Sequence, residues 1–171
     1  MTGPTDDDAR PAPPPLGFRP IAPDDMEFLY AVYASTRAEE LAVVDWTPEQ
    51  KAAFLRDQFD AQHRAYQETY EGSDFLVILM HDRPIGRLYV ARWDKEIRII
   101  DIALLPAYRN GGTGSAILNG LLAEGAREAK RVTIHVEMFN PALRLYERLG
   151  FRKLDEHGVY HFMSWSADSP A

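Results

Sequence analysis

The segment Leu104-Leu105-Pro106-Ala107-Tyr108-Arg109-Asn110-Gly111-Gly112-Thr113-Gly114-Ser115 constrains this chain more than any other stretch, because it sets a glycine-rich loop between a strand end and a helix start. Glycines let the backbone approach a ligand closely and adopt angles that other residues resist. Consecutive unpaired N–H groups at a helix N-terminus then form an anion site suited to a diphosphate. Each helix-end charge interaction is worth only about 0.3–1 kcal/mol at an exposed position, so several amides must converge for useful affinity. Taken alone, such a loop more often just turns the chain, with Thr113 or Ser115 as a cap. Two other phosphate-binding patterns fit poorly. A Walker A loop needs Gly-Lys-Ser or Gly-Lys-Thr, which is absent, and a dinucleotide loop follows the first strand of a parallel domain.

The surrounding pattern is not that of a parallel domain. Phe18-Arg19-Pro20-Ile21 reads as a short strand, followed by a helix with Met26, Leu29, Tyr30 and Tyr33 on one face and Asp24 with Glu27 as its capping pair. A second helix starts at Thr47-Pro48-Glu49-Gln50, which has the form of a capping box, and carries Leu55, Phe59, Tyr66 and Tyr70. The unbroken apolar run Phe75 to Met80 predicts a buried central strand. With a turn at His81-Asp82-Arg83-Pro84, strands over Ile85–Trp93 and Ile97–Leu105 continue it as an antiparallel meander. Ile117, Leu118, Leu121, Leu122, Gly125 and Ala129 then have helical spacing, and Val132, Ile134 and Val136 alternate as a strand. This strand–helix–strand unit is expected to lay its last strand parallel to residues 97–105. Asn140-Pro141 opens a short helix through Leu143, Tyr146 and Leu149, and residues 151–165 read as a hairpin turning near His157-Gly158.

At this point the chain resembles a known family. Pro106-x-x-Arg109-x-x-Gly112-x-Gly114 is similar to the acetyl-CoA motif of the GCN5-related N-acetyltransferases (GNATs), written Arg/Gln-x-x-Gly-x-Gly/Ala. The run Asn140-Pro141-Ala142-Leu143-Arg144-Leu145-Tyr146-Glu147-Arg148-Leu149-Gly150-Phe151 resembles that family's second cofactor motif, in which an Asn, a Tyr and a closing Gly-Phe recur. Asn110 stands where the family often has Gly, and Thr113 where it often has Ile or Val; Asn tolerates unusual backbone angles better than most residues. The resemblance implies an α/β fold: a GNAT-like mixed, mainly antiparallel central sheet flanked by helices, with a β-α-β cofactor-binding unit.

What the resemblance implies about chemistry follows from the reaction's demands: a thioester to be polarised, an amine that attacks while neutral, and a thiolate to be protonated. By likeness, acetyl-CoA is the cofactor, leaving as CoA. Leu104 would face the acetyl carbonyl through its N–H, beside Leu105. The amides of Arg109, Asn110, Gly111, Gly112, Thr113, Gly114 and Ser115 would hold the diphosphate, and Asn140 would meet the pantetheine arm or a bridging water. Tyr146 stands where the family places a tyrosine against the cofactor sulfur, although Leu143, Tyr146 and Leu149 also form an ordinary packing stripe.

For the base, the residues leave the choice open. Asp101 interrupts an apolar run, and Thr133, His135 and Glu137 lie opposite Val132, Ile134 and Val136. Polar groups inside a sheet need partners or a wet cavity, and Asp101 and His135 hydrogen-bonded to one another would serve as well as catalysis. Substrate determinants are expected from the first two helices: Arg37, Glu39, Glu40, Trp46, Gln58 and Gln62. Trp46 also suits a hydrophobic staple, and the acidic pair a cationic amine.

Composition bounds the rest. A chain of 171 residues is one domain in size, and residues 17–166 are expected to form it, with tails at 1–16 and 167–171. A net charge of −7 argues against a nucleic-acid partner. The absence of cysteine removes disulfides, a thiolate metal site and a Cys nucleophile, and the histidines have no convincing ligand spacing, so no metal is expected. With no membrane-length apolar run and no signal-peptide pattern, the expectation is a cytoplasmic protein with no membrane partner. The reading is an N-acetyltransferase acting on a primary amine of a small molecule or peptide. Its alternatives are a protein N-terminal or lysine acetyltransferase and a non-catalytic acyl-CoA-binding module, and a homodimer is left open.

Overall fold

The computed structural model of the chain describes residues 15–168. The expected tails lie outside the described residues except at their inner ends, where Leu16 already belongs to the first strand. In chain order the elements are β1 (Leu16–Pro20), α1 (Met26–Ala42), α2 (Pro48–Thr69), β2 (Asp74–Met80), β3 (Arg83–Arg92), β4 (Glu96–Leu104), α3 (Thr113–Glu128), β5 (Arg131–Glu137), α4 (Leu143–Arg148), β6 (Arg152–His157) and β7 (Tyr160–Trp165).

The strands form one seven-stranded sheet in the order β1-β2-β3-β4-β5-β7-β6. All neighbours are antiparallel except β4 and β5, which run parallel as the strand–helix–strand reading predicts. That parallel pairing is short, covering only Glu96↔Arg131 to Ile99↔Ile134. Beyond it β4 continues to Leu104 and β5 to Glu137 without pairing to each other, so the sheet opens into a notch between them.

Two apolar layers cover the sheet. On one face α3 contributes Ile117, Leu118, Leu121 and Leu122, and α4 Tyr146, to a core with Ile78, Leu88, Ile97, Ile99, Val132, Ile134 and Met163. On the other, Leu29, Tyr33 and Leu41 of α1 pack with Leu55 and Phe59 of α2. Burying side chains of this size stabilises by about 1.5–3 kcal/mol each before the entropy of ordering is set against it.

The start of α2 matches its sequence signature: the Thr47 hydroxyl accepts from the Gln50 amide at 3.1 Å, and the Gln50 side chain accepts from the Thr47 amide at 2.9 Å. The start of α1 does not. A 3-10 turn at Pro23–Asp25 precedes the helix and moves the capping role from Asp24 to Asp25, whose carboxylate accepts from the Ala22 amide at 2.7 Å and from both ends of the Arg19 fork at 2.8 and 2.9 Å. The β2–β3 turn is tighter than expected. Only His81 and Asp82 lie outside the strands, with φ of 49° and 63°, the left-handed pair a two-residue hairpin needs.

Candidate active site

The site is built around the notch. At its α3 side, Pro106–Tyr108 form a single 3-10 turn after β4, and the chain enters α3 through Asn110 (φ 63°) and Gly112 (φ 84°). Asn110 thus supplies the left-handed angle for which glycine is the usual choice. No side chain caps α3, and the helical ladder begins with the Ala116 amide, which donates to Gly112 at 3.0 Å. Among the described residues, the amides of residues 110–115 have no backbone acceptor. A Cβ added at Gly111, Gly112 or Gly114 would meet nothing within 4 Å, so the loop is open to a ligand. Six uncommitted donors at a helix N-terminus around open space fit a diphosphate.

Not every residue expected to hold the cofactor offers its amide. Arg109 donates its N–H to Pro106 at 3.2 Å, and Leu105 donates to Ile85 at 2.8 Å. The guanidinium of Arg109 turns away from the loop, donating to the Leu104 carbonyl at 2.9 Å and the Ser35 hydroxyl at 3.0 Å, and so ties the loop to α1. Since Leu105 bonds toward β3, the alternation of an antiparallel ladder turns the Leu104 N–H the other way, into the notch. Gly86 is what lets β3 lie so close here, because a Cβ there would sit 2.3 Å from the Ala103 carbonyl oxygen.

Tyr146 is brought to the same place by α4. It is 4% exposed, packs edge-on against Phe151 at 5.6 Å, and its hydroxyl makes no hydrogen bond among the described residues. Burial, and after it the charge of Asp101, push that hydroxyl well above the ordinary tyrosine range, so it stays a protonated phenol at neutral pH. Asn140 is exposed, and its side-chain oxygen accepts from the Ala142 amide at 2.8 Å, which orients the carboxamide and leaves its NH₂ open to a ligand.

Across the notch, Asp101 owes its position to a bulge. Tyr89 pairs with Asp101 and Val90 with Ile99, leaving Ile100 as an extra residue in β4. Had β4 kept its regular alternation through Ile100, Asp101 would share the face of Ile97 and Ile99 and be driven into the α3 core; the bulge reverses the alternation, and Asp101 faces α2. Its Oδ2 accepts from Arg87 at 2.8 Å and from the Tyr66 hydroxyl at 3.3 Å. Arg87 also donates to Gln62 at 2.9 Å and lies over the rings of Tyr89 and Tyr33 at 5.1 and 6.0 Å. Its side chain is 3% exposed. Burial works against this guanidinium's charge, but Asp101 together with Tyr89 and Tyr66 outweighs it and the group stays cationic.

His135 does not join Asp101. It lies exposed on β5, tilted against Phe162 at 4.8 Å, and partial burial together with the Arg98 charge holds its imidazole below the usual histidine range. Thr133, on the same face, is consumed by a structural network in which its hydroxyl donates to Glu96 at 2.8 Å and accepts from Arg98 at 2.7 Å. Of the residues expected to bind substrate, Arg37, Glu40 and Gln58 line one shallow pocket of about 100 Å³ with Tyr33, Leu41 and Phe54. Trp46 does not line it but packs edge-on against Phe54 at 5.3 Å. Arg37 bonds Glu40 at 3.1 and 3.2 Å and comes within 3.7 Å of Glu137 at the end of β5.

Sequence reasoning missed Arg87 and Tyr66 as parts of this site. A signal for Arg87 existed, an arginine flanked by Gly86 and Leu88 inside a strand otherwise apolar from Ile85 to Ala91; for Tyr66 there was none beyond its place in a helical stripe. Among the described residues no cluster of three or more His, Asp or Glu is arranged to hold a metal, and no helix is long and apolar enough to cross a membrane.

Comparison with known proteins agrees with this geometry. Residues 36–151 match the sequence model of the acetyltransferase (GNAT) family. The mycothiol acetyltransferase of Corynebacterium glutamicum strain R is 33% identical over 119 residues, 68% of this chain and 40% of that protein. The chain thus spans about two fifths of the length of the curated relatives it matches. Among solved structures, the PaiA N-acetyltransferase of Thermoplasma acidophilum in complex with coenzyme A superposes with a TM-score of 0.66 at 16% identity, over 89% of this chain and 99% of that one. Arabidopsis thaliana Naa50 in complex with the bisubstrate analogue CoA-Ac-MVNAL gives 0.53 at 16% identity, over 88% and 98%. At such identities these two likenesses are of fold.

Proposed function

The chain belongs to the acetyltransferase (GNAT) family, and from that premise we propose that it is an acetyl-CoA-dependent N-acetyltransferase acting on a primary amine of a small molecule. The observation that carries the proposal is the notch between β4 and β5, with uncommitted amides at residues 110–115 on one side and Asp101 and Tyr146 converging from opposite faces of the sheet. Acetyl-CoA, when bound, supplies an acetyl group activated as a thioester.

The residues of the chain divide the remaining work. Amides 110–115 hold the diphosphate, and the Leu104 N–H donates to the acetyl oxygen as negative charge grows on it. Asp101 accepts the proton of the attacking amine through Oδ1, the oxygen that neither Arg87 nor Tyr66 engages. Tyr146 donates its phenolic proton to the departing sulfur. His135 is given no part in this scheme, because its ring packs against Phe162 and the bonds to Asp101 come from Arg87 and Tyr66 instead. The small-molecule preference rests on the curated relatives, which are named mycothiol acetyltransferases, and on the modest pocket beside Arg37 and Gln58.

Measuring free CoA released from acetyl-CoA across a panel of small primary amines and short peptides, with mass spectrometry of the products, tests the proposal. Amine-dependent release with an acetylated small molecule is the expected result. Binding of acetyl-CoA without transfer to any acceptor would make the chain a non-catalytic acyl-CoA-binding module, and acetylation confined to peptide N-termini or lysines would move it to the protein-modifying class.

A further inference from the structure

The buried side of the Asp101 carboxylate carries more than fold geometry. Three residues from two elements converge on one of its oxygens or on the group that holds it: Arg87 on β3, and Gln62 and Tyr66 on α2. Among the described residues, the bonds from Arg87 and Tyr66 to the carboxylate both fall on Oδ2, and its side chain keeps 17% exposure. Neither Arg87 nor Tyr66 engages the second oxygen, Oδ1. Such an arrangement is expensive if its only purpose is packing, since a desolvated ion pair is often no more stabilising than apolar residues of the same volume. The Arg87 Nε, buried and without an acceptor, adds to that expense.

We propose that Arg87 is a positioning residue for acetyl transfer: held by Gln62 and by the Tyr33 and Tyr89 rings, it anchors Asp101 through Oδ2, with Tyr66 as the second anchor, and so aims Oδ1 at the acceptor amine. This rests on the reading of Asp101 as the proton acceptor. Arg87 touches neither substrate nor cofactor in this account and acts only through the carboxylate. Gln62 fixes the guanidinium by accepting from the same NH₂ that serves Asp101, so the fork cannot rotate away without losing both bonds. The bulge at Ile100 and the Arg87 anchor together form one device: the first brings the carboxylate to the α2 face, the second holds its direction there.

A double-mutant cycle on kcat, run with the acceptor that the amine panel returns, tests this. Arg87→Met is expected to lower kcat by about tenfold or more, as for residues sharing one network, while leaving acetyl-CoA affinity unchanged. Within an Asp101→Asn background the same substitution should change kcat by less than about twofold, because the group it positions is gone. Arg87→Lys, which keeps the charge but loses the planar fork, should fold and fall between wild type and Arg87→Met. Tyr66→Phe, which removes only the 3.3 Å bond, gives a second reading of the anchor with little change in packing, and its loss should be smaller than that of Arg87→Met. Losses from Arg87→Met and Asp101→Asn that multiply, or a fall in acetyl-CoA affinity matching the fall in kcat, would overturn the positioning role alone. Wild-type turnover in Asp101→Asn, or a panel that returns no acceptor, would overturn the reading beneath it.

Discussion

The two sides of the notch are made of different material. On the α3 side the proposed binding surface is backbone: amides of residues 110–115, in a loop shaped by the left-handed angles of Asn110 and Gly112. On the α2 side it is side chain, assembled from Tyr66, Arg87 and Asp101, which are 14 to 35 residues apart in sequence where they bond. A site made of consecutive amides is written into a few adjacent residues. A site made of side chains exists only after the sheet and two helices have packed. The first kind binds a constant group such as a diphosphate, and the second is free to vary with the acceptor.

The sharpest way to break this division is Tyr146→Phe, which removes the one hydroxyl assigned to the chemistry from the α4 side. Turnover should fall by about 10²–10⁴-fold, the range for loss of a general acid, with acetyl-CoA affinity and thermal stability unchanged. Undiminished turnover with chemistry rate-limiting would return Tyr146 to the packing stripe in which it sits. Gly112→Ala tests the backbone side. At φ 84° a β-carbon is strained by about 1–2 kcal/mol, so the dissociation constant for acetyl-CoA should rise by about tenfold while kcat at saturation holds. If kcat falls and affinity does not, the two sides have been assigned the wrong way round.

The smallest effect separates both sides from the structural network below them. Burial tends to raise the Glu96 carboxyl, but hydrogen bonds from Thr133 and Arg131 and the charge of Arg98 outweigh it and hold the group below the usual carboxylate range. A carboxyl depressed in the folded state adds stability above its unfolded value and loses it as pH falls through the folded one. The urea midpoint should therefore drop on acidification below about pH 4.5, the ordinary value for this group, and Glu96→Gln should flatten that drop. An acid limb identical in the two proteins would show that the network contributes nothing to stability, whatever its hydrogen bonds.

Much of this architecture was legible before any coordinates. The meander from Phe75 to Leu105, the parallel return of residues 131–137, the closing hairpin and the capping box at Thr47 all follow from local pattern, because period and turn chemistry act over a few residues. What was not legible has a common physical cause. The Ile100 bulge depends on how β4 registers against β3, and a one-residue insertion leaves no mark in composition. For that reason Asp101 appeared only as an interruption in an apolar run, and its partner was sought in His135 rather than in Arg87 and Tyr66. Arg109 shows the same limit inside the legible loop: its amide and its guanidinium are both engaged within the protein, through Pro106, Leu104 and Ser35.

Every proposed role depends on the open amides of residues 110–115 gripping the diphosphate of acetyl-CoA. Isothermal titration of the chain with acetyl-CoA, beside Gly112→Ala, tests it directly. Saturable one-to-one uptake by the wild-type chain is expected, weakened about tenfold in the variant, with a stabilisation of about 2.7 kcal/mol at a hundredfold excess over the dissociation constant. No heat and no stabilisation with acetyl-CoA or CoA, or uptake indifferent to Gly112→Ala, would contradict it.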